Sequence, residues 1–374
     1  MPPPPSSDAA AFAPRPDKSP PPARPSASII VVSPTNQVLL LHRVQTSTAF
    51  ASAHVFPGGN LSAFHDGPVP DDVHADALPY RLGAIRETFE ESGILLARRR
   101  GGEEGGEGSL LKLPVAERDA ARKAIYENEI SFGAWLERVG GVADTENLLP
   151  FTRWVTPPGP PKRFTTQMYV YMLPVEEEEV DADVDAGREA LIPTPDGGAE
   201  ITTARFDDVD AWLERQRRGD IVLFPPQCFL LHLLAPFLRG PPASSSSSSS
   251  AMTRQYYRAQ REGLRRFMDA VPTSTHKHPT SMIPWAEKVI SPVVLGLRAA
   301  DGRTILGLDK PGGELRGSGR GGDWERVVLV RFGKGGPRDA EVRGREEVFT
   351  EEREAKAKAK AREKEEEEVA APKL

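Results

Sequence analysis

"RETFEESGI", residues 86–94, gathers Glu87, Glu90 and Glu91 within five positions and then turns on Gly93. Two carboxylates about 5 Å apart repel by about 3 kcal/mol at an effective dielectric of 20. On a helix advancing about 100° per residue the three glutamates share roughly 100° of arc. They lie opposite a stripe formed by Leu82, Ile85 and Phe89. Such a face is either solvated, the ordinary fate of a charge run, or it surrounds a cation. A helical period runs from Pro79 to about Leu96, with Gly93 near the end of the acidic face.

The flanking segments favour the cation. "SIIVV" (28–32) and "QVLLLHR" (37–43) read as two strands joined by the turn "SPTN". "FPGG" (56–59) reads as a loop in which Pro57 fixes one dihedral and the paired glycines permit close backbone approach. A strand, a glycine loop and an acidic helix in that order can hold divalent cations against phosphate oxygens.

Further along, "GGEEGGEG" (101–108) reads as a flexible loop and residues 115–139 as helical, with Ile125, Ile130, Phe132, Trp135 and Leu136 buried. "LLPFTRWVTPPGPPKRFTTQMYVYMLP" (148–174) reads as strand, proline-rich turn and strand. A polar loop containing "EEEE" leads to a strand in "AEITTARF" (199–206), an aspartate-capped helix (207–219) and an apolar helix in "PPQCFLLHLLAPFL". The predicted organisation is a disordered proline-rich N-terminus over 1–27 and a main domain over 28–239 with a helical insertion at about 109–147. A serine-rich linker over 240–280, a small β appendage over 281–338 and a charged tail over 339–374 follow.

Composition bounds the rest. Hydrophobic residues make up 39% of the 374, low for a chain this long, and 36 prolines with 33 glycines assign much of the difference to linkers and tails. A net charge of −6 argues against wholesale nucleic-acid binding. The single cysteine, Cys228, has no partner for an internal disulfide, which fits a reducing compartment. No apolar run reaches membrane-spanning length and the N-terminus lacks a secretory core, so the sequence reads as a soluble intracellular protein.

The segment resembles the signature of Nudix hydrolases: a glycine, a glutamate, then Arg-Glu-apolar-x-Glu-Glu-x-Gly-apolar. Gly59, Arg86, Glu87, Glu90, Glu91, Gly93 and Ile94 match, while Thr88 stands at the usually apolar position. Gly59 and Arg86 are 27 positions apart, more than in the usual box, so residues are inserted between them. Counted back from Arg86, the place of the first glutamate falls on Leu78, with Asp76 the nearest acid.

The resemblance implies an α/β fold, a Nudix α/β/α sandwich, and a hydrolase of phosphorus-containing anhydrides that uses Mg²⁺ or Mn²⁺. It assigns Glu90 and Glu91 as core metal ligands and Glu87 as a further ligand or an aid in deprotonating the attacking water. It gives Arg86 the role of orienting the carboxylates. Glu200 is the candidate for the additional downstream glutamate, as ligand or base. Gly58 and Gly59 would offer backbone groups to the substrate.

"LLLHRVQTSTAFASAHVFPGG" (39–59) is similar to a signature of coenzyme A-cleaving members through Leu39, Leu40, Arg43 and residues 56–59, with Thr48 and Ser52 departing from it. The expected reaction is cleavage of CoA or acyl-CoA to 4′-phosphopantetheine and adenosine 3′,5′-bisphosphate, with Arg43, Lys162 and Arg163 contacting substrate. The family's "RFDT" is "RFTT" here, losing an acid at Thr165. Hydrolysis of nucleotide sugars, dinucleotides or RNA caps is the alternative within the enzyme class. A non-catalytic binding or scaffolding protein is the alternative outside it. Pro372-Lys373-Leu374 is similar to a peroxisomal address read by an import receptor, with cytoplasm or mitochondrion as the alternative.

Overall fold

The computed structural model describes residues 20–44, 52–101, 110–175, 192–196, 200–240, 250–275, 277–333 and 335–370. Expectations for residues 1–19, for the "GGEEGGEG" and "EEEE" loops, for the serine run and for Pro372-Lys373-Leu374 fall outside these residues. The N-terminal half comprises β1 (Arg24–Val32), β2 (Val38–Arg43), β3 (His54–Val55), β4 (Gly58–Asn60), α1 (Ala63–Asp66), α2 (Leu78–Ser92), β5 (Ala97–Arg99), α3 (Val115–Tyr126) and α4 (Phe132–Arg138). The chain continues through β6 (Gly141–Ala143), β7 (Leu149–Val155), β8 (Phe164–Met172), β9 (Ile201–Asp207), α5 (Val209–Arg217), α6 (Pro225–Leu234) and α7 (Ser250–Asp269). It ends with β10 (Val289–Ile290), β11 (Val293–Leu297), β12 (Thr304–Leu308), β13 (Asp323–Gly333), β14 (Gly336–Gly344) and α8 (Arg345–Ala370).

The main sheet is eight-stranded and mixed, ordered β10-β7-β8-β1-β2-β3, with β4 also on β1 and β9 on β2. β1 runs parallel to β8 along its whole length, Arg24 opposite Phe164 and Val32 opposite Met172. Both faces of this sheet are covered, and the period of two sorts its side chains between them. Ala27, Ile29, Val31, Leu39, Leu41, Tyr169 and Tyr171 join the core under α2 and the insertion helices. Ile30, Val32, Val38, Leu40, Met168 and Val170 join the opposite core with α5, α6 and α7. The expected layered α/β sandwich is present.

Several boundaries differ from the sequence reading. Strand β1 begins at Arg24 rather than at residue 28, because Arg24–Ala27 pair with Phe164–Gln167. The helical stretch 115–139 is two helices: Asn128 takes a left-handed φ of 58°, and the Ser131 hydroxyl caps the second helix by accepting from the Ala134 amide at 3.3 Å. α2 stops at Ser92 because Gly93 adopts φ 74° and donates to the Phe89 carbonyl. Asp208 occupies the N-cap of α5 but makes no side-chain cap bond.

The C-terminal third is also more integrated than a linker plus appendage. Within 240–280, α7 docks Tyr257, Arg261, Leu264 and Met268, a single face at helical spacing. Buried Arg261 donates to Asn36 Oδ1, Leu173 O and Ser33 O, tying α7 to the β1–β2 turn. β10 adds in parallel to the edge of the main sheet beside β7. β11–β14 form a second, antiparallel sheet, whose Leu306, Leu308, Val328, Val330, Ala340 and Val342 share one core with Ile30 and Leu40. In the supposed tail, residues 339–344 belong to β14 and the helix spans Arg345–Ala370.

Candidate active site

The glycine turn and the acidic helix are held against each other by contact that only glycine permits. β4 pairs with the start of β1, Ser28 opposite Gly58 and Ala27 opposite Gly59. A Cβ on Gly58, whose φ is +155°, would meet the Ala27 carbonyl oxygen at 2.3 Å. A Cβ on Gly59 would meet the Glu87 carboxyl group at 2.4–2.5 Å. The Gly58 amide donates to Glu91 Oε2 at 2.9 Å. On the far side of α2, Ile85 and Phe89 are buried and Phe89 stacks on Trp135 of α4 with ring centroids 5.0 Å apart. Thr88 is tolerated at an apolar position because its hydroxyl donates to the Ala84 carbonyl.

Arg86 organises the carboxylates as expected. Its Nη1 donates at 2.9 Å to Oε1 of both Glu87 and Glu90. Its other nitrogens grip a residue the sequence reading missed: Nε to Asp66 Oδ1 at 2.9 Å and Nη2 to Asp66 Oδ2 at 3.0 Å. Asp66 lies at the end of α1 and its side chain is fully buried. Counting forward from Gly59 reaches this acid seven residues on; counting back from Arg86 crosses the insertion and arrives at Leu78. Asp76 does other work, pairing with Arg81 at 2.6 Å and accepting from the Tyr169 hydroxyl.

Glu87, Glu90, Glu91 and Glu200 line one cleft of about 420 Å³. Arg43 is not among the residues lining it. It bridges the carboxylates instead, Nη1 at 3.6 Å from Glu91 and Nη2 at 2.7 Å from Glu200. Lys162 and Arg163 do not line the cleft either. Lys162 is exposed on the turn before β8. Arg163 is buried, donates to Thr156 O and Pro21 O, and pairs with Glu314. Burial, the two carbonyl bonds and the Glu314 pair make it a structural clamp on the start of β1. Thr165 is buried, and its hydroxyl pairs with His74 and Arg153.

The rest of the cleft comes from Asp119, Arg122, Lys123 and Tyr126 of α3 and from Thr194, Pro195 and Asp196. The α3 positions lie 3, 4 and 7 residues from Asp119, the spacing of one helix face. That spacing was present in the sequence, but it is mainly polar and carries no motif.

Desolvation dominates the electrostatics. Burial pushes the Glu87 carboxyl up, with Glu90 and Asp66 adding and Arg86 opposing. Burial also pushes Glu91 well up, reinforced by Glu87 and opposed by the Gly58 amide and Arg43. Carboxylates destabilised in this way are ones whose charged form a bound cation would restore. Their oxygens are the hard donors that Mg²⁺ and Mn²⁺ prefer. The donor chemistry of Glu87, Glu90 and Glu91 therefore fits a divalent ion. As they stand, among the described residues no three His, Cys, Asp or Glu side chains converge on a common point able to hold a metal. Glu87 and Glu90 turn toward Arg86 and Glu91 toward Gly58.

Known proteins share parts of this chain. The acyl-coenzyme A diphosphatase NUDT19 of Gallus gallus is 27% identical over a match covering 54% of this chain and 61% of the relative. The putative nudix hydrolase 7 of Caenorhabditis elegans is 30% identical, covering 42% of this chain and 47% of the relative. The matched region thus spans between about half and three-fifths of each curated relative. Among solved structures, a NUDIX hydrolase from Alicyclobacillus acidocaldarius aligns with a TM-score of 0.44 at 24% identity, covering 61% of this chain and 97% of the other. No family model matches the chain.

Proposed function

We propose that this chain, a member of the Nudix family, hydrolyses the diphosphate bond of a nucleoside-diphosphate-linked substrate with the help of a divalent cation. The observation that carries the reading is that Glu87, Glu90, Glu91 and Glu200 line one cleft beside the Gly58–Gly59 segment. Glu87, Glu90 and Glu91 would hold the cation. Mg²⁺ or Mn²⁺, when bound, supplies charge neutralisation for the diphosphate and acidity for a water.

The protein's own groups do the rest. Asp66 fixes Arg86, and Arg86 fixes the heads of Glu87 and Glu90. Glu200, 45% exposed at the cleft, takes a proton from the attacking water in this reading. Arg43 sets its orientation. Gly58 and Gly59 let β1 and the Glu87 carboxylate come close to this segment, and the Gly58 amide holds Glu91 in place.

The substrate within this class is CoA or acyl-CoA, giving 4′-phosphopantetheine and adenosine 3′,5′-bisphosphate. Two things support it: the name of the Gallus gallus relative and the Leu39, Leu40, Arg43 and "FPGG" spacing. The proposal includes import into the peroxisome through Pro372-Lys373-Leu374, tested by following a fluorescent fusion with and without these residues. Activity is tested by incubating purified protein with Mg²⁺ or Mn²⁺ and a panel of CoA, acyl-CoA, ADP-ribose, a nucleotide sugar and a dinucleoside polyphosphate. Turnover of CoA above the rest is expected. Turnover of another member alone removes the CoA assignment, and no turnover of any removes the enzyme.

A further inference from the structure

The wall of the cleft opposite the acidic helix is α3, and its side chains divide into two jobs. Arg122 is committed to the fold. It donates from Nε and Nη2 to the Glu90 carbonyl at 3.0 and 2.7 Å, and from Nη1 and Nη2 to Oγ1 and O of Thr194 at 3.0 and 3.1 Å. Those bonds lock α3 to α2 and to the segment carrying Asp196. Lys123 and Tyr126, by contrast, line the cleft while staying open to solvent. The Lys123 side chain is 74% exposed and approaches Glu127 only to 4.0 Å, and Tyr126 is 54% exposed.

Chemistry separates them from their surroundings. The cleft is lined by six carboxylates and two cations, one of which, Arg122, is consumed as described. A diphosphate drawn to the Glu87–Glu91 side leaves the other end of a nucleotide facing α3. There it meets an exposed aromatic ring and an ammonium three residues apart.

We propose that Lys123 and Tyr126 form the nucleotide-recognition wall of the cleft, the Tyr126 ring stacking on the base and the Lys123 ammonium pairing with a phosphate ester outside the scissile diphosphate. This deepens the preceding reading and rests on it for the orientation of the substrate. It selects nucleotides carrying an additional phosphate monoester over those without one. Stacking on aromatic rings is tolerant of base identity, so the discrimination lies with the ammonium.

The test is calorimetric titration of the full chain, in Mg²⁺, with adenosine 3′,5′-bisphosphate and with AMP. The wild type is expected to bind the bisphosphate about tenfold tighter, the scale of one charge-assisted hydrogen bond. Lys123→Ala removes that preference and leaves AMP affinity within about twofold. Tyr126→Ala weakens both ligands by about tenfold, and Tyr126→Phe, which keeps the ring, retains wild-type affinity. A wild type without preference, a preference that survives Lys123→Ala, or a Tyr126→Phe loss equal to that of Tyr126→Ala overturns the inference. Failure of the wild type to hydrolyse any diphosphate is a separate result, which removes the functional reading and leaves these affinities to be judged by themselves.

Discussion

Arg86 holds Asp66 through two parallel hydrogen bonds, Nε to Oδ1 and Nη2 to Oδ2, while its remaining Nη1 reaches both Glu87 and Glu90. Twenty residues of chain separate the pair, so one buried ion pair fixes the glycine turn, α1 and the acidic helix together. Asp66→Ala removes the guanidinium's buried bidentate partner and leaves Arg86 held only by Glu87, Glu90 and the Asn60 carbonyl. The expected loss is about 3–5 kcal/mol of stability, read by chemical denaturation, and turnover falls with it because Glu87 and Glu90 lose their common anchor. A stability change below about 1 kcal/mol would show that the pair behaves like a surface bridge.

Gly59→Ala puts a methyl group where the Glu87 carboxylate now lies. The far end of a flexible side chain can swing aside, so the fold survives, with a melting temperature within a few degrees. Activity does not survive: a fall of about 100-fold or more in kcat/KM is expected, the scale of misplacing a catalytic group by about 1 Å. Equal activity in the variant would show that Glu87 need not sit against the turn.

Glu91→Gln separates catalysis from stability. Burial and the neighbouring Glu87 penalise the Glu91 charge, whereas a glutamine keeps an oxygen for the Gly58 amide. Without added metal the variant is expected to melt at or above the wild-type temperature. Mg²⁺ raises the wild-type melting temperature by ligand linkage and leaves the variant unmoved, and turnover is abolished. Undiminished turnover, or an equal Mg²⁺ shift in both proteins, removes Glu91 from the site.

His54 gives the fold an acid-side sensitivity away from the cleft. Its Nδ1 is buried without a hydrogen bond among the described residues, and its ring lies 4.7 Å from that of His42 and 5.8 Å from that of Trp212. Burial first, then His42 and Arg215, lowers its pKa from 6.5 to about 4. Above pH 6.5 neither state is protonated and the residue contributes nothing. As pH falls from 6.5 to about 4 the unfolded chain takes up a proton that the fold refuses, so stability drops. The drop reaches at most about 3 kcal/mol. His54→Gln flattens that part of the pH–stability curve, and an identical curve in both proteins refutes the assignment.

The box helix was legible because its chemistry is local. Glu87, Glu90 and Glu91 share a helix face through spacing alone, and Gly93 ends the helix through its own φ. The apolar runs "SIIVV" and "QVLLLHR" likewise read as strands from a few adjacent residues. Asp66 was obscured because counting back from Arg86 crosses the inserted residues, whereas the acid lies seven residues after Gly59. The partners of Arg43 and Arg163 could not be read because sequence reveals a cation but not what it meets: the first contacts Glu91 and Glu200, the second Glu314 and two carbonyls.

The sequence by itself therefore determined the strand, glycine turn and acidic helix, since each follows from side-chain periodicity and backbone freedom within a few residues. Only the tertiary structure decided which charges are buried together, that Asp66 holds Arg86, and that α3 lines the cleft as well. It also decided that the β strands after residue 288 close the core of the main domain. These are long-range pairings, and burial raises the cost of an unmatched charge or an uncovered apolar face enough to select one arrangement among many that the linear pattern allows.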